Sequence, residues 1–339
     1  MKILRPATFG RGVRLASVGS YLPSRRVSND DLVAAGAPLD AEEMVRLSGV
    51  QARRWVADDE ATSDLATHAA RVAMTRAKVE AADVDRLVVA TVSPDHLSPS
   101  AACFAHAALG LGEVPAHDLT ASCSGFVYAL ELAARCVLTG DDAVLAVAAD
   151  VRSRFLDPHD RATSALFGDG AASALVVPGA PGEGLVALGV AADGRGAKSV
   201  YVPSGGSRDP HGASRFIRMD EGPKVYLKAV EGMLGTAERL LDAEGLSFAD
   251  VDHVVPHQPN RRILDRMARL AGIDASKIVI DIEERGNVSG ASVGLALERT
   301  LVERARPGDR VLIVAAGAGY TAGAALLVVD EALLASVRS

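Results

Sequence analysis

The fold is decided by two stretches, Asp83-Val-Asp-Arg-Leu-Val-Val89 and Gly140-Asp-Asp-Ala-Val-Leu-Ala-Val-Ala-Ala149, which recur with changes later in the 339-residue chain. The first recurs as Asp250-Val-Asp-His-Val-Val255 and the second as Gly308-Asp-Arg-Val-Leu-Ile-Val-Ala-Ala316. Each stretch is typical of a polar turn followed by a buried strand, and the members of each pair are separated by a helix, a strand and another helix. This shared order indicates the duplication of one α/β unit.

The duplication predicts the class of fold. Strands that alternate with helices predict mostly parallel sheets covered on both faces. We therefore predict two duplicated α/β halves, residues 1–178 and residues 179–339, related by a pseudo-two-fold axis. Two turns of small residues, one with Cys123 and one with Asn287, fall in the same interval of the two halves and are expected to meet near that axis.

The overall composition excludes several classes of function. A net charge of -7 argues against general nucleic-acid binding. No apolar run approaches the roughly 20 residues that span a bilayer, and the N-terminus lacks the apolar core of a signal peptide. Three cysteines at scattered spacing indicate neither a disulfide framework nor a metal site. We expect a cytoplasmic protein without a membrane partner.

One cysteine has the setting of a nucleophile. Cys123 lies between serines in Asp118-Leu-Thr-Ala-Ser-Cys-Ser-Gly-Phe-Val-Tyr-Ala-Leu130, where a predicted strand turns into a predicted helix. The amides and dipole at a helix N-terminus are expected to lower the pKa of a thiol there. Cys103 and Cys136 instead lie within apolar helical patterns, which is typical of packing.

A histidine and an asparagine complete a candidate set. His257 directly follows the predicted strand in Val254-Val-Pro-His-Gln-Pro-Asn260, at the carboxyl end where α/β folds bind ligands. Asn287 alone would read as a turn or helix cap, but the duplication makes its turn the counterpart of the Cys123 turn. Cysteine hydrolases also use a set of Cys, His and Asn, so the residue types alone leave that class open.

The glycine-rich segment Ala315–Gly323 is either an oxyanion hole or a tight turn.

Several motifs, in order, carry a specific resemblance. They are Ala121-Ser-Cys-Ser-Gly-Phe126, Asp157-Pro-His-Asp-Arg161, Phe167-Gly-Asp-Gly170, Pro256-His-Gln-Pro-Asn260 and Gly286-Asn287. On these motifs the chain resembles the β-ketoacyl-acyl-carrier-protein synthase III family of the thiolase-like superfamily, nearly from end to end. The resemblance implies a thiolase-like fold with layered αβαβα halves. It also implies a homodimer and an enzyme without a resident cofactor.

The resemblance implies a role for each site residue. Cys123 would take an acyl group from a thioester, and the backbone amides of Cys123 and Ala318 would hold the oxyanion. His257 and Asn287 would donate hydrogen bonds to the thioester oxygen of a malonyl carrier during decarboxylative condensation. The implied substrate-binding residues are Arg161, Leu97, Ser98 and Phe167.

The chain also departs from the family pattern. Glu43 and Leu47 stand where relatives clamp adenine with Trp and Arg, so either coenzyme A or an acyl carrier protein is expected as donor. Ser98 and Ala316 stand where relatives often have aromatic residues. These differences favour fatty-acid-like or polyketide secondary metabolism.

A basic stripe is the candidate docking site for a carrier protein. Arg262, Arg266 and Arg269 fall on one face of a predicted helix. Acyl carrier proteins are acidic, so the stripe would steer one to the site. The alternative is a solvated helix face paired with Asp265 and nearby acids.

Two other functions stay open from the sequence. The first is an acyltransferase that moves the acyl group from Cys123 to an alcohol or amine without decarboxylation. It needs Cys123 and His257, but it does not need Asn287. The second is a non-catalytic scaffold, against which the presence of all three site residues argues.

Overall fold

The computed structural model describes residues 1–339, which form twelve β-strands and nine α-helices. The strands are β1 Ile3–Leu4, β2 Gly12–Tyr21, β3 Arg25–Ser28, β4 Ala52–Trp55, β5 Arg86–Ala90, β6 Ala116–Leu119, β7 Val144–Asp150, β8 Gly170–Gly179, β9 Gly184–Ala192, β10 His253–Pro256, β11 Arg310–Gly317 and β12 Thr321–Val328. The helices are α1 Asn29–Ala34, α2 Ala41–Ser48, α3 Thr62–Ala77, α4 Ala101–Leu109, α5 Gly125–Thr139, α6 Gly222–Ala243, α7 Arg261–Ala271, α8 Ser292–Glu303 and α9 Glu331–Val337.

The strand order confirms the predicted duplication. The first half has the order β2-β8-β7-β5-β6, and the second has β9-β12-β11-β10 followed by a bridge from Val254 of β10 to Ile278. In each half the first two pairings are antiparallel and the next two are parallel. The recurring stretches of the sequence form β5 and β10, and β7 and β11.

An aspartate explains why the polar turns recur with the strands. Asp85, just before β5, accepts a hydrogen bond of 2.7 Å from the backbone N–H of Asp142, just before β7. Asp252 accepts a bond of 2.8 Å from the N–H of Arg310 in the same way, between β10 and β11. Each carboxylate therefore fixes the start of a parallel strand pair.

The prediction of mostly parallel sheets is wrong, because the sheet is mixed. Strands β8 and β12 each run antiparallel to both of their neighbours in the sheet. Only residues 318–320 separate β11 from β12, and so short a connection can join only antiparallel neighbours.

Alternating side chains along the strands show the layers. Val144, Ala146 and Ala148 of β7 face a central core, which they share with Val311, Ile313 and Ala315 of β11 and with α5 and α8. The intervening residues of β7 pack with α3 and α4, whereas those of β11 pack with α6 and α7. The order helix, sheet, helix, sheet, helix is the predicted αβαβα arrangement.

The two halves are joined through the sheet. Strand β2 contacts β9 at Val13 and Gly184, so that with β1 the halves form one ten-stranded sheet. Division of the chain at residue 178 stays a prediction. None of the helices combines the length and apolar character needed to cross a membrane.

Candidate active site

The three residues predicted to be catalytic line one cavity. Cys123 follows β6, His257 follows β10, and Asn287 lies just before α8. All three contribute to the wall of a cavity of about 580 Å³, which also contacts the carboxyl end of β11 and one face of α6. The cavity lies at the carboxyl ends of parallel strands, where α/β folds bind ligands.

The duplication sets the turn that carries Cys123 against its counterpart in the second half. Ser122 and Ser289 both have a φ of 49° and both begin a short 3-10 turn that leads into a helix, α5 or α8. The turns touch, because a Cβ placed on Gly290 would lie 3.6 Å from the Cα of Gly125 and 3.1 Å from the carbonyl oxygen of Ser122. A left-handed φ is uncommon outside glycine, so its recurrence at these two serines marks a matched turn.

Burial sets the protonation of the nucleophile. Burial raises the pKa of the Cys123 thiol to about 11, although the Arg152 guanidinium and a hydrogen bond from Ser289 lower it. The Asp150 carboxylate adds to the rise. The prediction that the helix N-terminus gives a low pKa is therefore wrong here, because desolvation of the thiolate outweighs it. The proton must leave Cys123 as the substrate is attacked.

His257 is a neutral, buried histidine in a turn that hydrogen bonds hold in place. Only 1% of its surface is exposed, neither ring nitrogen has a protein partner, and burial lowers its pKa to about 3. The next residue, Gln258, fixes the turn by donating to the carbonyls of Pro256 and Val279 at 2.9 and 3.0 Å. A neutral imidazole presents one donor and one acceptor, and both nitrogens remain available to a substrate.

The amide of Asn287 is oriented by the turn that follows it. Its Oδ1 accepts a hydrogen bond of 2.9 Å from the backbone N–H of Ser289. Its backbone is held by bonds to Leu166 and from Gly168, at 2.9 and 3.1 Å. The side-chain Nδ2 donates to no protein group, so its two hydrogens are free for a ligand.

The glycine-rich segment brings backbone against the nucleophile. A Cβ placed on Gly317 would lie 2.7 Å from the backbone nitrogen of Cys123, so only glycine allows this approach. The Thr321 hydroxyl ties the segment down by donating to the carbonyl of Ala121 at 2.8 Å. Ala318 lines the cavity beside Cys123, in a position suited to the predicted oxyanion hole.

The predicted substrate-binding residues fall in different places. Phe167 is buried and lines the cavity. Arg161 is exposed, donates to the carbonyl of Pro38 at 2.9 Å and lies 3.6 Å from Glu43. Leu97, 86% exposed, and Ser98 lie outside the cavity of their own chain.

The basic stripe on α7 is not neutralised by acids of the chain. Arg262 and Arg269 are exposed, and Arg266 lies over the ring of Tyr226 at 6.0 Å. None of the three forms a salt bridge, whereas Asp265 pairs with Arg261 at 2.9 Å. The alternative of a helix face paired with Asp265 is therefore wrong for the stripe.

Three residues near the nucleophile escaped the sequence analysis. Ser289 lowers the pKa of the Cys123 thiol, and the Asp150 carboxylate accepts a bond of 3.2 Å from the backbone N–H of Gly290. Arg152 is buried beside Phe167. Two features of the sequence could have pointed to them. The match between the Ser122 and Ser289 turns indicates Ser289, and the charges at the end of the apolar stretch that forms β7 indicate Asp150 and Arg152.

Comparison with known proteins agrees with the geometry. Residues 117–194 match the family model for 3-oxoacyl-[acyl-carrier-protein (ACP)] synthase III, and residues 241–329 match the model for its C-terminal region. The β-ketoacyl-[acyl-carrier-protein] synthase III of Rhodopirellula baltica is 38% identical, over 93% of this chain and 98% of that protein.

Solved structures agree over a similar length. A 3-oxoacyl-(acyl carrier protein) synthase III from Pseudomonas aeruginosa has a TM-score of 0.87 at 34% identity, covering 95% of this chain and 99% of that one. The priming β-ketosynthase of the R1128 polyketide pathway has a TM-score of 0.86 at 33% identity, covering 94% and 97%.

The fold and the convergent Cys, His and Asn define a condensing enzyme with the thiolase-like architecture. The extent of the similarity then decides the family. The chain belongs to the β-ketoacyl-[acyl-carrier-protein] synthase III family and is an acyltransferase.

Proposed function

We propose that this enzyme loads an acyl group from a thioester onto Cys123 and then condenses it with a malonyl group held on an acyl carrier protein. The observation that carries the proposal is the convergence of Cys123, His257 and Asn287 on one cavity, with the Asn287 Nδ2 free to donate. The relatives named as synthases of this type support the same reaction.

In the first half-reaction Cys123 is the nucleophile. Its sulfur attacks the thioester carbonyl, and the amides of Cys123 and Ala318 stabilise the oxyanion. Neutral His257 accepts the thiol proton and passes it to the departing thiolate of the donor. The high pKa of Cys123 is compatible with this route, because the proton leaves only as the carbon–sulfur bond forms.

In the second half-reaction His257 and Asn287 act as donors. Loss of CO2 from the malonyl group leaves an enolate whose oxygen carries negative charge. An imidazole N–H and the Asn287 Nδ2 stabilise that oxygen. The enolate carbon attacks the acyl carbon, the bond from that carbon to the Cys123 sulfur breaks, and the released thiolate takes up a proton to restore the thiol. The thioester supplies the activated acyl group, so this route needs no resident cofactor or metal.

The donor and the quaternary structure belong to the same proposal. Glu43 lies 3.5 Å from Arg46 and 3.6 Å from Arg161, so it competes with a nucleotide phosphate for both cations and favours a carrier-bound donor. The edge strand β6 and the exposed Leu97 support a homodimer in which residues 97 and 98 reach the partner's cavity. The unpaired α7 stripe supports docking of an acidic carrier protein.

Intact-protein mass spectrometry tests the proposal. The enzyme and a C123A control are incubated with acyl-coenzyme A and acyl-carrier thioesters, after which malonyl carrier is added. We expect an adduct that needs Cys123 and that leaves as a product two carbons longer. An adduct that clears only with an alcohol or amine would instead show simple acyl transfer, and no adduct from any donor would contradict the proposal.

The metabolic role follows from the same relatives, which include a polyketide priming synthase. We propose a role in fatty-acid-like or polyketide biosynthesis. Full rescue of a strain that lacks its fatty-acid initiation enzyme would place the chain in primary fatty-acid synthesis.

A further inference from the structure

Arg152 is a buried cation behind the wall of the cavity that contains the reacting sulfur. It lies just beyond the carboxyl end of β7 and is only 7% exposed. Its backbone N–H donates to the Asp169 carboxylate at 2.7 Å, which fixes the main chain from which the side chain extends. The guanidinium lies 5.4 Å from the ring centroid of Phe167, a residue of the cavity wall.

The guanidinium of Arg152 has no partner in the chain. None of its nitrogens donates a hydrogen bond, no carboxylate lies within salt-bridge distance, and Nε is sealed from solvent without an acceptor. The two nearest buried carboxylates are already satisfied by other groups. Asp150 accepts from Thr91, Val92, Ser93 and Gly290, and Asp169 accepts from Val56, Ser153 and the Arg152 backbone.

A second buried arginine shows what a structural role looks like in this fold. Arg53 is also buried, and its guanidinium donates to Val27, Asn29 and Ala165. Burying a cation without such partners is strongly unfavourable. Arg152 therefore lacks an acceptor that the fold supplies elsewhere, and a bound substrate is one means of supplying it.

The position of Arg152 indicates which group of the substrate would be this acceptor. The charge of Arg152 reaches the Cys123 sulfur, since it lowers the pKa of the thiol. Cys123 and Phe167 line the same cavity, and the guanidinium lies over the Phe167 ring, so an acyl group that extended from the sulfur along Phe167 would approach the guanidinium. We propose that Arg152 binds a carboxylate at the far end of the acyl group on Cys123, so that the preferred donor is a monothioester of a short dicarboxylic acid. This inference rests on the proposed function.

The loading step is balanced without any further reactant. The bond from the acyl carbon to the donor sulfur breaks as the bond to the Cys123 sulfur forms, and the thiol proton goes to the departing thiolate. The distal carboxylate keeps its charge and pairs with Arg152 through charge-assisted hydrogen bonds.

The malonyl extender is a weaker candidate for this cation. Its carboxylate must lose its charge as CO2 departs, and a cation bound to it would stabilise the ground state more than the transition state. A carboxylate on the loaded acyl group takes no part in the chemistry, so pairing with it carries no such penalty.

The experiment compares two acyl groups of similar length, succinyl and pentanoyl, each presented both on coenzyme A and on an acyl carrier protein. Rates of Cys123 acylation are measured by intact mass for the wild type, R152L and R152K. Their ratio is the readout, because removing a cation near Cys123 also changes thiol reactivity towards every donor. R154L is the matched control, because Arg154 is exposed and donates only to the carbonyls of Ala57 and Asp58.

We expect the wild type and R154L to prefer the succinyl donor by about tenfold or more, as pairing with a charged group implies. R152L should reverse the preference, and R152K should restore part of it. A wild-type preference for pentanoyl, or an unchanged ratio in R152L, would overturn the inference. So would a loss in R152L confined to malonyl decarboxylation. Acylation by neither donor, nor by acetyl or carrier thioesters, would contradict the proposed function itself.

Discussion

The backbone N–H of Ser289 donates to the side-chain oxygen of Asn287 at 2.9 Å, while the Ser289 hydroxyl lowers the pKa of the Cys123 thiol. One residue with a left-handed φ of 49° therefore orients the amide of one site residue and lowers the pKa of the nucleophile. The Asn287 oxygen is occupied, so the amide can offer a substrate only its N–H groups. Substitution of Asn287 therefore tests whether the reaction requires an N–H donor at this position.

The first prediction is that N287D separates the two half-reactions. Aspartate can still accept from Ser289, but an ionised carboxylate has no hydrogen to donate to an enolate oxygen. We expect condensation to fall by roughly 10²-fold or more, as for loss of an oxyanion donor, while loading of Cys123 stays within a few-fold of wild type. Loading is followed by intact mass and condensation by product formation. Equal losses in both steps would contradict this assignment.

The second prediction concerns the backbone approach at Gly317. In G317A the new methyl group would lie 2.7 Å from the Cys123 nitrogen and 3.1 Å from that of Ser124, so the turn or the strand end must move. We expect acylation of Cys123 to slow by roughly 10²-fold, because the oxyanion amides lose their alignment. G112A is the control, since a methyl group there meets nothing within 4 Å. Normal acylation in G317A would show that the close approach is not needed.

Periodicity and internal repetition predicted the fold because they are properties of the local sequence. The stretches that begin at Asp83 and Asp250 form β5 and β10, which occupy equivalent places in the two halves of the sheet, and the turns with Cys123 and Asn287 meet. The antiparallel returns of β8 and β12 escaped prediction. Strand direction depends on the length and path of connections, which side-chain alternation does not report.

Properties that depend on solvation could not be predicted in the same way. The sequence shows that Cys123 lies at the start of a helix, but the opposing cost of burial arises only when β11, β12 and the second turn pack against it. Likewise, Arg152 follows an apolar strand as many surface arginines do. Its lack of a partner becomes visible only once Asp150 and Asp169 are seen to be satisfied by other groups.

The third prediction follows from the burial of neutral His257. Its pKa is lowered from an ordinary 6.5 to about 3, so the unfolded chain takes up a proton at a pH where the folded chain does not. This contribution to stability is complete above pH 6.5 and is lost as the pH falls from 6.5 towards 3. The side chain of H257N does not titrate in this range. We therefore expect its free energy of unfolding to fall less steeply with decreasing pH than that of the wild type, by up to about 1.4 kcal/mol per pH unit.

Urea unfolding of the wild type and H257N between pH 7.5 and pH 5 measures that difference. Other carboxylates and histidines contribute to both curves, so only the difference between the two proteins reports on His257. Parallel curves would show that the imidazole is protonated in the folded protein at these pH values, or that water reaches it.

The last prediction concerns the stripe on α7. Arg262 and Arg266 have no acidic partner in the chain, so their charge is available to a carrier protein. Reversal in R262E/R266E should raise KM for malonyl carrier by about five- to twentyfold at low ionic strength, with kcat little changed, because the charges act mainly on encounter. The effect should shrink as added salt screens the surface.

The matched control for the stripe is R11E/R306E, which changes the net charge by the same amount. Arg11 directly precedes β2 and Arg306 precedes β11, so both lie at the amino ends of strands, away from the cavity. If both double variants raise KM equally, then net charge alone governs the encounter and the stripe is not a docking site. A rise confined to R262E/R266E, and absent for acyl-coenzyme A donors, would locate carrier binding on α7, because only the carrier presents an acidic protein surface to the stripe.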